Sequence, residues 1–145
     1  MTEEKERVME KLSRIEWVPL YSVNIEEIDA QHRKLFDITN HVMDLFESDT
    51  GDLLPVLKFL IAYVVEHFHT ESSVMIKGNF PGFLVHTQAH QMFTEKMNEF
   101  LEEYKAGNKD LAFDMIYYLK NWIKDHTTKV DMEYAKYLQN ASGSK

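Results

Sequence analysis

Four stretches of this 145-residue chain repeat apolar residues at helical spacing, and the inward stripe of each one carries histidine. The first runs from about Glu26 to Phe46, with Ile28, His32, Leu35, Phe36, Thr39, Val42, Met43 and Phe46 on one face. The second runs from about Leu53 to Met75, with Leu57, Leu60, Ile61, Val64, His67, Phe68, Glu71 and Met75. The third, about Phe83 to Tyr104, places His86, Ala89, His90, Phe93, Met97, Phe100 and Leu101 together. The fourth, about Asp110 to Leu138, aligns Ala112, Met115, Ile116, Leu119, Trp122, Ile123, His126 and Val130. Apolar residues recurring at three and four positions mark amphipathic helices with one buried face.

The breaks between them are short. Ser48 to Asp52 contains Gly51, Lys77 to Gly82 contains Gly-Asn and Pro-Gly, and Ala106 to Lys109 contains Gly107. Four such helices on short connections predict an all-α, antiparallel up-down four-helix bundle. Three prolines and five glycines are too few for a turn-rich all-β fold. Ahead of the bundle, Thr2 to Arg14 reads as a short polar helix, and Glu16 to Ile25 as an extended arm anchored by Trp17 and Tyr21. The expected organisation is therefore an N-terminal helix and arm over 1–25, a bundle over 26–139 and a flexible polar tail over 140–145.

Five of the seven histidines lie inside the stripes: His32, His67, His86, His90 and His126. His41 falls about 180° around the helix from His32, and His69 about 200° from His67, at 100° per residue. Both are expected to face solvent. A single histidine on an apolar face is usually a satisfied core residue. Five, spread over all four helices, would need five separate hydrogen-bonding solutions, whereas one shared metal site satisfies them together. Acids occur at matching places. Glu71 follows His67 by four residues, on the same face, and His86 and His90 share that spacing. Asp131 follows His126 by five, which in an ideal helix is about 140° off the same face. The two converge only through a wide, π-type turn.

Five imidazoles and two carboxylates exceed the roughly four ligands of a zinc ion and are too nitrogen-rich for calcium or magnesium. Two transition-metal ions fit better, and imidazole with carboxylate suits iron. If Glu71 and Asp131 bridge together with a solvent oxygen, the ion with three histidines is saturated and the ion with two keeps one open position. One open position admits a small diatomic molecule and little else. Two ferrous ions, two carboxylates and a hydroxide leave about one positive charge, less suited to highly oxidised iron than carboxylate-rich di-iron sites built on Glu-x-x-His pairs. No such pair lies on the inward stripes here, which favours reversible binding over oxidative catalysis.

The stretches Trp17 with Asp29-Ala30-Gln31-His32, then His67-Phe68-His69-Thr70-Glu71, His86-Thr87-Gln88-Ala89-His90 and His126-Thr127-Thr128-Lys129-Val130-Asp131 occur in order over nearly the whole chain. Together they resemble the hemerythrin family, in particular its single-domain bacterial members. The resemblance implies a non-haem di-iron centre that binds O2 reversibly, with an oxo or hydroxo group beside bridging Glu71 and Asp131. It assigns His86, His90 and His126 to the saturated iron and His32 and His67 to the open one. It matches Leu35, Phe68, Trp122 and Ile123 to an apolar O2 pocket. Thr127 stands where the family usually has isoleucine. A hydroxyl there is expected to admit water and speed autoxidation. Ser72 replaces a common glutamate that is not a ligand.

The leading expectation is thus a non-enzymatic O2 binder for storage, delivery or sensing. The alternatives are a di-iron redox enzyme (an oxidase, peroxidase or nitric oxide reductase) and a non-catalytic iron-binding interaction module. Sixteen basic residues against twenty-four acidic argue against a nucleic-acid or anionic-membrane partner. The absence of cysteine excludes disulfides and thiolate chemistry. Met1 to Lys11 lacks the apolar core of a signal sequence. The expectations are a cytoplasmic protein and a monomer, with any sensing output supplied by an unidentified protein partner.

Overall fold

The computed structural model describes residues 14–48 and 52–143, together with Glu3. The expected N-terminal helix and most of the first interhelical connection lie outside the described residues. A short 3-10 turn spans Pro19–Tyr21, followed by α1 (Glu26–Ser48), α2 (Leu53–Lys77), α3 (Phe83–Lys105) and α4 (Leu111–Asp125). A π-helical segment, His126–Val130, continues directly into α5 (Asp131–Gly143). Among the described residues there is no strand. The α4–π–α5 rod is the fourth member of a four-helix bundle. It extends beyond the Leu138 expected from the sequence, to Gly143.

The helix ends follow their residues. Asp52 caps α2 by accepting from the Leu54 amide at 3.0 Å, and Pro55 sits harmlessly in the first turn. The Tyr104 hydroxyl, from the end of α3, donates to the same Asp52 side chain at 2.6 Å. Gly107 turns the chain between α3 and α4 at φ +82, a conformation that costs a side-chain-free residue little. α2 is the most apolar helix, with an 18-residue window of mean hydropathy 1.2. Its length and composition alone would suffice for a membrane span. In the bundle it packs on α1 and α3 and buries Val56, Leu57, Leu60, Val64 and Met75.

Contacts run round a ring, α1 to α2, α2 to α3, α3 to α4 and α4 back to α1. The main core fills one part of this ring, with Phe36, Val42, Met43, Leu57, Leu60, Phe93, Met97, Phe100, Met115, Ile116 and Leu119 all nearly inaccessible. A second, smaller core gathers Val23, Ile28, Met75, Tyr134 and Ala135. The inward histidines belong to neither apolar cluster.

The arm is held to α1 by directed bonds as well as by burial. Asn40 makes a two-way clamp on Ile15, accepting from its amide at 2.9 Å and donating to its carbonyl at 2.8 Å. The Arg33 guanidinium lies 4.2 Å over the Trp17 ring, and Tyr21 meets Phe36 edge-on. Asn24 turns the chain into α1 through a left-handed conformation, φ 61. Buried Asp29 then reaches back, accepting from the Ser22 hydroxyl at 2.5 Å and the Val23 amide at 2.9 Å. These are charge-assisted bonds on a buried group. Asp29→Ala is expected to destabilise the chain by about 1.5–3 kcal/mol, read by urea unfolding. An unchanged midpoint would show that the Asp29 bonds add nothing to bundle stability.

Candidate metal centre

Every helix delivers donors to one point. α1 supplies His32, α2 supplies His67 and Glu71, α3 supplies His86 and His90, and the α4–π–α5 rod supplies His126 and Asp131. All seven side chains are buried, and the two carboxylates are fully inaccessible. His41 and His69 are exposed, as their helical phase requires.

The last pair meets through the wide turn. The Asp131 amide donates to the His126 carbonyl, an i→i+5 bond that closes a π turn and returns the two side chains to one face. Two threonines mark the change of register. The Thr127 hydroxyl donates to the Ile123 carbonyl at 2.7 Å, and the Thr128 hydroxyl to the Lys124 carbonyl at 2.6 Å.

The donors fall into two overlapping groups. One is Glu71, His86, His90, His126 and Asp131, and the other is His32, His67, Glu71 and Asp131. The carboxylates are shared oxygen by oxygen. Glu71 Oε1 touches His67 Nε2 and lies 3.3 Å from His32 Nε2. Its Oε2 lies 2.9 Å from His86 Nε2 and 3.4 Å from His90 Nε2. Asp131 Oδ2 is 3.0 Å from His32 Nε2, while its Oδ1 is 2.9 Å from His126 Nε2 and 3.1 Å from His86 Nε2. Each acid therefore offers one oxygen to each group.

Hydrogen bonding alone does not satisfy this cluster. Both Asp131 oxygens and His67 Nε2 are buried without a well-formed hydrogen bond among the described residues. His90 Nε2 and His126 Nε2 face each other at 3.3 Å. Buried polar atoms normally have partners, and facing lone pairs repel unless a cation lies between them. Imidazole nitrogens and carboxylate oxygens are donors suited to iron, so the residues present fit a di-iron group.

The walls are aromatic and apolar. Phe68 stacks on His90 with centroids 3.8 Å apart, and Trp122 stacks on His126 at 4.2 Å. Phe93 braces Trp122 at 4.1 Å. Leu35, Phe68, Ile123 and Thr127 are buried, and Trp122 is half-buried. A groove of about 300 Å³, lined by Ala89, Tyr117, Tyr118 and Trp122 among others, reaches His126 from outside.

Three residues without an assigned role in the sequence also touch the site. Gln31 accepts from His67 Nδ1 at 2.7 Å and donates to Thr70 Oγ1 at 3.1 Å. Tyr134 is fully buried, its ring 5.4 Å from that of His86 and its hydroxyl without a hydrogen-bond partner among the described residues. Burial and the charges of Glu71 and Asp131 push that phenol far above its ordinary range. Gln31 and Thr70 sit beside ligands in the quoted motifs, and Tyr134 lies three residues past Asp131. Adjacency was the only sequence signal available for any of them.

The sequence profile of the hemerythrin HHE cation binding domain matches residues 23–138. A bacteriohemerythrin of Methylococcus capsulatus is 27% identical over 119 residues, covering 81% of this chain and 91% of that protein. A hemerythrin-like protein of Naegleria gruberi is 29% identical over 122 residues, covering 84% and 92%. The crystal structure of a wild-type hemerythrin superposes with TM-score 0.75 at 27% identity, covering 86% of this chain and 97% of that one.

In the metal-free chain the cluster holds protons instead. Burial alone would push His32 and His86 down, but Asp131 and Glu71 outweigh it and hold them at about 10 and about 9. Burial pushes His90 down. Burial also opposes ionisation of Glu71 and Asp131, yet the surrounding histidines hold both well below the usual carboxylate range. The signs follow by linkage. The raised histidines stabilise the fold fully below their ordinary 6.5, and that contribution is lost as pH rises through about 9 to 10. The depressed carboxylates stabilise it above their ordinary values, 4.5 for Glu71 and 3.8 for Asp131, and lose that contribution as pH falls through their folded values. Thermal unfolding of the metal-free chain is expected to peak between about pH 4.5 and 6.5. A bound divalent ion replaces the protons and is expected to abolish the alkaline loss. A metal-free melting temperature that is flat from pH 6.5 to 10 would contradict this.

Proposed function

We propose that this chain, which belongs to the hemerythrin family, holds two iron ions at this cluster and binds O2 reversibly, as a store, carrier or sensor rather than an enzyme. The observation that carries the reading is the sharing of Glu71 and Asp131, one oxygen to each of two donor groups, at the centre of a closed bundle. His86, His90 and His126 would help hold one ion, and His32 and His67 the other. With two histidines against three, the His32 and His67 group would be the one to leave room for a small ligand. When bound, the ferrous pair supplies the electrons on which reversible O2 binding depends.

The chain's own residues do the rest. Glu71 and Asp131 balance part of the metal charge from positions that solvent does not reach. Leu35, Phe68, Trp122, Ile123 and Thr127 form the apolar wall, which excludes water and slows loss of reduced oxygen species. Thr127 carries the one hydroxyl among these five. Its proton is committed to the Ile123 carbonyl, leaving the oxygen lone pairs as the polar feature of the wall.

The proposed centre is tested by reducing the iron-loaded protein anaerobically, admitting air and following the visible spectrum through a deoxygenation cycle. A charge-transfer band that appears with air and vanishes when O2 is removed is expected. Immediate, irreversible passage to the ferric form would instead support a redox enzyme. In the same assay Thr127→Ile is expected to slow autoxidation, because it removes the hydroxyl and adds apolar bulk. A rate equal to that of the unsubstituted chain would overturn the role given to Thr127.

A further inference from the structure

We infer that Gln31 and Thr70 are positioning residues that determine which nitrogen of His67 is offered to a metal ion. The inference rests on the two-ion reading above. It comes from a run of hydrogen bonds whose direction is set at one end. The Glu66 carbonyl only accepts, so the Thr70 hydroxyl, 3.1 Å away, donates to it. With its single proton used, Thr70 Oγ1 can only accept from Gln31, at 3.1 Å. That turns the Gln31 NH2 toward Thr70 and its carbonyl oxygen toward His67. The oxygen lies 2.7 Å from His67 Nδ1, so Nδ1 carries the hydrogen and donates. The Nε2 lone pair is left on the side of Glu71, where the second donor group converges.

The relay is built into the seam between α1 and α2. His67 and Thr70 are three residues apart on one face of α2, so one amide spans both. Gln31 itself is 8% exposed and is next to His32 in the chain. One turn of α1 thus supplies one histidine and orients the other histidine of the same group. His32 has no such support, since its Nδ1 is buried without a partner among the described residues. Gln31 therefore acts on the His32–His67 group specifically. The hydrogen bond on a ligating histidine's far nitrogen fixes its tautomer and ring orientation, and losing such a partner typically weakens metal binding about 10–100-fold.

The test uses the full chain stripped of metal, with Co(II) as the probe. Wild type is expected to take up two equivalents. In Gln31→Leu the second equivalent is expected to bind about 10–100-fold more weakly, with the first unchanged. Gln31→Glu keeps the acceptor and is expected to restore the second equivalent. In Thr70→Val the amide is free to turn round, and an intermediate loss is expected. Nitrogen-15 spectra of the metal-free chain, taken above the pH at which His32 and His86 release their protons, read the tautomer directly. His67 is expected as the Nδ1–H form in wild type and as a mixture in Gln31→Leu.

Equal weakening of both equivalents, wild-type binding by Gln31→Leu, or an unchanged His67 tautomer in that variant would overturn the inference. If Gln31→Leu does not fold, Thr70→Val and its tautomer decide. If wild type takes up fewer than two equivalents, the two-ion reading fails. The nitrogen-15 comparison still decides whether the relay sets the tautomer.

Discussion

Two carboxylates, Glu71 and Asp131, sit at the centre of this bundle with no access to water. An isolated buried carboxylate is among the costliest groups a fold can contain. Every neighbouring feature answers that cost. Five imidazoles surround the pair, each bringing a nitrogen within 3.5 Å of a carboxylate oxygen. Without metal, protons on His32 and His86 provide the positive charge. With metal, cations do so more completely, because one ion can satisfy several facing lone pairs that a proton cannot.

This arrangement constrains the helices. Four rods must each bring a donor to one point, so their registers along the bundle axis are coupled. α2 and α3 can do so as regular helices, because His67 with Glu71, and His86 with His90, are one turn apart. The last rod cannot, because His126 and Asp131 are five residues apart. The π segment at His126–Val130 resolves the mismatch. The apolar cores lie to either side, with Phe93, Phe100 and Met115 in the larger and Tyr134 and Met75 in the smaller. Polar satisfaction at the centre therefore depends on apolar packing that holds the rods in place.

Much of this was legible before any coordinates. Apolar periodicity marked the four rods, and the phase of His41 and His69 separated them from the five inward histidines. The spacing of His126 and Asp131 already showed that the two could meet only through a wide turn. Other features were not legible. Gln31 gave no sign of the bond to His67, because hydrogen bonds between side chains on different helices depend on how the helices are rotated. Nor did Tyr134 read as buried at the cluster, because its helix carries few apolar residues and its burial comes from Phe80, Met75 and the second core. The clamp of Asn40 on Ile15 spans 25 residues and has no local signature.

The sequence by itself determined the helical architecture, the inward set of five histidines with Glu71, and the condition, one wide turn, on which Asp131 could join them. Each of these is periodic or local, and a helix's geometry converts spacing into direction. Only the tertiary structure decided how the donors are shared. Which oxygen of Glu71 meets which histidine, which nitrogen of His67 faces the centre, and how Thr127 uses its hydroxyl are matters of a few ångströms between or along rods. Those distances come from the mutual rotation and packing of whole helices, and no single stretch of sequence encodes them.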